Sequence, residues 1–290
     1  MSPRRQRTSD DRVSDLPRRY IGPRWFGPAY AAMMRLDPHA RGSVDRELLA
    51  TSVGLDARSA SPLYRPPASR RTHYRKGTRP ILDALARGVA PPASGVEAGV
   101  RSLIDFVADH KPEPPRDIGS LRFGGTEEEI IARGSEWCTD LARVACALFQ
   151  VAGFPSRMVF LADTSKAYSG HALLEVYRQN KWGAVDPLDG VVYRGSGGAA
   201  ASTWELMAQP ELIALNSRGR RTPHARRGQF RTAAIAEYRL GRRGDHNYRI
   251  SGINPYYRSI LRMSERGWPG GLRWLHGEDD SDLMRDARVR

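Results

Sequence analysis

Two cysteines, Cys138 and Cys146, are the only thiols in 290 residues, and His171 and Asp186 follow them at short range. A thiol, an imidazole and a carboxylate can act together as a nucleophile, the base that takes its proton and the anion that orients the base. Leu141, Val144, Ala145, Leu148 and Ala152 recur at helical spacing, so a helix is expected from Cys138 to Ala152, stopped by Gly153 and Pro155. Cys138 then opens that helix, where unpaired backbone N–H groups and the positive end of the dipole stabilise a thiolate. Cys146 lies two turns deeper among Val144, Ala147 and Leu148 and reads as a core residue. Eight residues of helix rise ~12 Å, beyond the ~4.4–6.8 Å between the Cα atoms of a disulfide, so the thiols are expected reduced. Two thiols alone also cannot build a cysteine-based zinc site.

The other two groups sit on expected strands. His171–Arg178 and Lys181–Asp186 read as a hairpin about Gln179 and Asn180, preceded by a short strand at Arg157–Leu161 and a polar turn at 163–169. With a two-residue loop Arg178 pairs with Lys181, and Asp186 then faces Leu173, two residues from His171 on the same side of the sheet. Such diagonal neighbours lie ~7–8 Å apart at Cα, within reach of an imidazole–carboxylate bond, and a one-residue slip would reverse the face. The spacing permits a Cys–His–Asp arrangement without demanding it. A strand histidine held by a structural bond and a turn aspartate before proline fit the same residues.

Elsewhere the pattern is uneven. Val96, Val100, Leu103, Ile104 and Val107 form one helical stripe up to His110, stopped by the Lys111–Pro115 run. Thr126 and Glu129 have the form of a capping box for a short helix ending at Gly134. Ser61–Pro80 has no period and reads as an irregular connection, 195–201 as a flexible loop, and Trp204–Leu215 as a helix. The residues beyond carry little regular signal.

Charge divides the chain. Lys plus Arg number 46 against 32 Asp plus Glu, a net +14, and all but four of the basic residues are arginine. Residues 1–80 hold 17 basic and 7 acidic groups and 215–290 hold 17 and 8, whereas 81–214 hold 12 and 17. Basic ends could hold an anionic partner, and the Arg- and aromatic-rich run Arg220–Tyr257 could combine phosphate contacts with base stacking on a nucleic acid. So extreme an arginine bias also fits coding composition. No apolar run is long enough for a membrane helix. The charged start, with no apolar stretch behind it, places the protein in the cytoplasm as an expectation. Glu278–Asp282 lacks the glycine and the final glutamate of a calcium loop and reads as solvated.

Three segments carry a resemblance. Gly134-Ser-Glu-Trp-Cys138-Thr-Asp-Leu-Ala with Gly153-Phe-Pro-Ser-Arg157-Met-Val159, His171-Ala-Leu-Leu-Glu175-Val176, and Trp182-Gly-Ala-Val-Asp186-Pro187 stand in order, 33 and 15 residues separating Cys138, His171 and Asp186. Together they resemble the transglutaminase-like superfamily over about residues 96–215, with Leu173 where many members carry tryptophan. The resemblance implies an α+β, papain-like fold, a nucleophile helix packed on an antiparallel sheet, with residues 81–215 as core between basic extensions at 1–80 and 216–290, the latter packing on the core. It also implies Cys138 as nucleophile, His171 as base and acid, Asp186 as orienter and the Cys138 N–H as an oxyanion donor. The expected reaction is hydrolysis of an amide or peptide, which the basic flanks would favour being acidic, with no cofactor, metal or membrane partner. Transamidation to an amine, and non-catalytic binding of a polyanion such as nucleic acid, are the alternatives.

Overall fold

In the computed structural model the residues described are 53–67, 74–110, 125–135, 137–162, 170–216, 227–238 and 240. Their centre is a six-stranded sheet, antiparallel throughout, in the order β1-β6-β2-β3-β4-β5. Its strands are β1 (Val53–Gly54), β2 (Ser156–Ala162), β3 (Gly170–Arg178), β4 (Lys181–Asp186), β5 (Val191–Val192) and β6 (Thr232–Ala236). One face is covered by α2 (Pro80–Val89), α3 (Val96–Asp109), α4 (Glu127–Arg133) and α5 (Cys138–Val151). The other carries α1 (Ala57–Leu63), α6 (Thr203–Ala208) and α7 (Glu211–Asn216). The fold is therefore α+β, with α5 packed on an antiparallel sheet that is buried on both faces.

Strand alternation assigns side chains to these faces. Along β3, Ala172, Leu174 and Val176 join the α5 core, while Leu173 joins the core beneath α6 and α7. The β3–β4 loop is the two-residue turn expected: Gln179 and Asn180 both have positive φ, 50° and 60°, the type I′ geometry that matches strand twist. Arg178 pairs with Lys181 and Leu174 with Val185, which is the expected register. Helix α3 buries Val100, Leu103, Ile104 and Val107. Val96, expected on the same stripe, is 46% exposed, because as the first helical residue it lies beyond the surface its neighbours cover. The Thr126–Glu129 capping box forms in both directions. Gly153, at φ 92°, ends α5 with its N–H on the Gln150 carbonyl and the Phe154 N–H on Phe149.

Four expectations are corrected. Residues 195–201 close a tight turn, with the Gly195 N–H on the Ala199 carbonyl and a bridge between Arg194 and Ala200. Ala200 and Ala201 are buried because β4 lies directly against them: a Cβ on Gly183 would stand 2.7 Å from the Ala200 methyl, and Ala184 N–H bonds the Ala201 carbonyl. The single helix expected at Trp204–Leu215 is two, α6 and α7, parted at Pro210, which lacks an amide hydrogen and disfavours helical backbone in the residue before it. Beyond residue 216, β6 lies between β1 and β2, so the core bounds 81 and 215 cut across one continuous sheet. Part of the Ser61–Pro80 connection is helical, since α1 runs to Leu63 under an Asp56 capping box despite Pro62.

The expected arm at 1–20, the Lys111–Pro115 stop, the 163–169 turn, most of Arg220–Tyr257 and the Glu278–Asp282 run lie outside the described residues. No helix among the described residues is long and apolar enough to cross a membrane.

Candidate active site

Cys138 is the first residue of α5, with Trp137 as N-cap, and is half-buried. The helix below it is enclosed well beyond the one apolar face read from spacing: every residue from Thr139 to Gln150 is buried. Cys146 belongs to that enclosed part. Its sulfur lies 3.2 Å from Ser156 Oγ, and burial pushes its thiol up to about 12, against smaller opposing effects of Ser156 and Gln150. At neutral pH it is a protonated packing group. Both cysteines are free of disulfides.

His171 and Asp186 meet. His171 Nε2 donates to Asp186 Oδ2 at 2.7 Å, with the residues 2% and 0% exposed. The other carboxylate oxygen is held by the turn after β4, accepting from the Leu188 N–H at 3.0 Å and the Asp189 N–H at 3.2 Å. Asp186 is thus both the turn residue and the histidine partner that the sequence left as alternatives. The bond to the carboxylate engages Nε2 of the ring.

Chain geometry fixes which end of the sheet this pair occupies. Helix α5 spans about 20 Å at ~1.5 Å per residue, and β2 spans roughly as much at ~3.3 Å per residue. Residues 152–155 join the two as a tight turn, so the helix runs back along β2 toward the Leu161–Ala162 end of that strand. Those residues pair with His171 and Gly170 at the start of β3. By register, His171 and Asp186 share the face of Leu161, Leu173 and Ala184, opposite the face on which α5 packs. An approach of the thiol to the imidazole therefore runs around the end of β3, where His171 is the second residue, and not through the sheet.

Buried charge around this frame was not anticipated from the sequence. Arg157 donates through Nε and Nη2 to Glu175 Oε2, at 2.9 and 2.6 Å, and stacks on Trp182. Glu175 Oε1 accepts from Tyr64 Oη at 2.8 Å and from the Thr203 N–H at 2.7 Å, fastening α1 and α6 to β3. Burial first, then the Glu175 charge, raises the Tyr64 phenol above its usual range. A second cluster joins Arg79, Glu127, Glu128, Arg143 and Tyr238 beside α5. Its sequence signal is Arg143, a basic residue in the middle of a mostly small and apolar helix. Among the described residues no three His, Cys, Asp or Glu side chains gather as a metal site.

Residues 83–187 match the description of the transglutaminase-like superfamily, a span that holds Cys138, His171 and Asp186. Among solved structures, the chain is similar to a protein from Cytophaga hutchinsonii provisionally named a cysteine protease, at 20% identity and a TM-score of 0.32. That match covers 46% of this chain and 43% of the other. No curated protein matches the sequence. At the level of the superfamily, the family match over residues 83–187 supports a thiol-dependent enzyme. Over residues 83–187 the chain is similar to the transglutaminase-like superfamily.

Proposed function

We propose that the protein is a cysteine enzyme that hydrolyses an amide or peptide bond through Cys138, His171 and Asp186. The observation that carries this reading is the buried 2.7 Å bond from His171 to Asp186, together with Cys138 as the first residue of α5. Asp186, fixed by its own turn, holds the imidazole through Nε2 and favours its protonated form; Nδ1 takes the Cys138 proton. The thiolate attacks the substrate carbonyl carbon, and the Cys138 N–H, at the helix start, is a donor to the developing oxyanion. Collapse of the tetrahedral species breaks the C–N bond, His171 returns its proton to the departing amine, and a thioester remains on Cys138. Water then attacks the thioester, giving up a proton to His171, and the acid leaves as the thiol is restored.

Intact-protein mass spectrometry with a panel of activated amides and peptide anilides tests the reading. An acyl adduct is expected on Cys138, absent from Cys138→Ala, that decays in water at a rate matching product release. Decay that requires an added amine would convert the reading to transamidation. No adduct with any substrate, together with a Cys138→Ala variant that behaves like wild type, would refute it.

A further inference from the structure

Helix α5 begins without a side-chain cap. Trp137 is its N-cap and carries no acceptor, so the segment leading to Cys138 must be held in another way. The means lies two residues after the cysteine. Asp140 is the third helical residue, the position from which a capping-box carboxylate reaches back to the N-cap N–H. Here the carboxylate works through an intermediary: Ser135 Oγ accepts from the Trp137 N–H at 3.1 Å and donates to Asp140 Oδ2 at 3.3 Å. The same carboxylate oxygen accepts from Arg133 Nη2 at 2.8 Å.

From Asp140 the contacts continue into the buried charge cluster. Its Oδ1 lies 3.9 Å from Arg143 Nη1, and Arg143 Nη2 binds Glu127 Oε1 at 3.0 Å and the Gly125 carbonyl at 2.8 Å. Arg143 Nε donates to Tyr238 Oη at 3.2 Å, and Glu127 Oε2 accepts from Arg79 at 2.6 Å. Segments far apart in the chain, at 79, 125–128, 133–135 and 238, are thereby braced against the first turns of α5. Apart from Arg133, which is partly exposed, the brace is buried, so its ion pairs have a low-dielectric setting, and loss of one member leaves the others uncompensated.

We propose that Asp140 is a positioning residue for Cys138: through Ser135 it fixes the Trp137 backbone, through Arg143 it ties the start of α5 to the buried cluster, and it holds Arg133 at the end of α4. The thiol and the N–H of the same residue then keep one geometry. This deepens the reading of Cys138 as nucleophile and takes its catalytic meaning from it; the geometric claim has its own readout. Asp140 touches neither substrate nor thiol in this scheme and acts through the backbone before the cysteine.

The test combines amide hydrogen exchange with thiol alkylation on the full chain, comparing wild type, Asp140→Ala, Asp140→Asn and Ser135→Ala. In Asp140→Ala, peptides covering 134–141 are expected to exchange at least about 10-fold faster while the β2–β3 hairpin is unchanged. Cys138 alkylation is expected to slow roughly 10- to 100-fold, with an altered pH profile. Ser135→Ala should shift both in the same direction by a smaller factor, and Asp140→Asn, which keeps an acceptor for Ser135, should recover part of the loss. A folded Asp140→Ala with wild-type exchange over 134–141 overturns the proposal. If that variant does not fold, unchanged exchange in Ser135→Ala overturns it instead. A wild-type Cys138 no more reactive than a free thiol would count against the nucleophile reading alone, and the exchange result would still decide the geometric claim.

Discussion

Cys138 and Cys146 are the same side chain on the same helix, two turns apart, and their surroundings differ in every respect that governs thiol chemistry. The first opens α5 and is half-buried; the second is enclosed, beside Ser156, its thiol pushed up to about 12 by burial. A thiolate needs a nearby positive field and access, and the start of a helix supplies the field without any added residue. Eight residues on, the N–H groups are all engaged in the helix and the surroundings are apolar. The contrast therefore follows from position along one element, before any partner is considered.

The most severe test of that contrast leaves both cysteines in place and removes the charge behind the histidine. Asp186→Asn keeps an acceptor for the Leu188 and Asp189 N–H groups but loses the anion, and is expected to lower kcat by roughly 10³- to 10⁴-fold with little change in melting temperature. Retention of more than a tenth of the activity, measured on the substrate found by adduct screening, would show that the pair is structural.

Next in size is the cluster under the helix. Burial opposes the charge of Glu127, yet Arg143 and Arg79 hold its carboxyl at about 2, below the ordinary ~4.3. A carboxyl depressed in the folded state contributes stability that is present above its unfolded pKa and lost as pH falls through the folded one. Unfolding free energy should thus decline between pH ~4.3 and ~2, and Glu127→Gln should flatten that decline while costing about 3 kcal/mol at neutral pH. Urea melts across that range check it; parallel curves for the two proteins would contradict it. The smallest effect belongs to the enclosed thiol. Cys146→Ala should cost about 1 kcal/mol, through a small void and the lost contact with Ser156, and leave Cys138 chemistry unchanged. A loss of activity greater than threefold would mean that the two thiols are not independent.

What the sequence made legible was the local geometry. The register of the β3–β4 hairpin, and with it the shared face of His171 and Asp186, followed from a two-residue loop and the period of two. The start of α5, its end at Gly153 and the Thr126 capping box followed from local signals in the same way. β6 escaped because Thr232–Ala236 is mostly alanine and buried, so it shows no alternation of apolar and polar side chains. The division of α6 from α7 depended on a single proline. Arg79, Glu127, Arg143 and Tyr238 pair across 16 to 111 residues, and no local pattern specifies a pairing at that range. The relay from Asp140 through Ser135 to Trp137 is local, but its residues read as ordinary polar groups until the N-cap is known to be a tryptophan.

One measurement goes to the centre of the account: the rate of iodoacetamide labelling of each cysteine against pH, resolved by peptide mass spectrometry, for wild type, His171→Ala and Cys146→Ala. The account predicts rapid labelling of Cys138 that persists well below the ~8.5 of a free thiol, is slowed by His171→Ala and is untouched by Cys146→Ala, with Cys146 inert until the protein unfolds. Slow labelling of Cys138 with the profile of a free thiol, unchanged by His171→Ala, would contradict it.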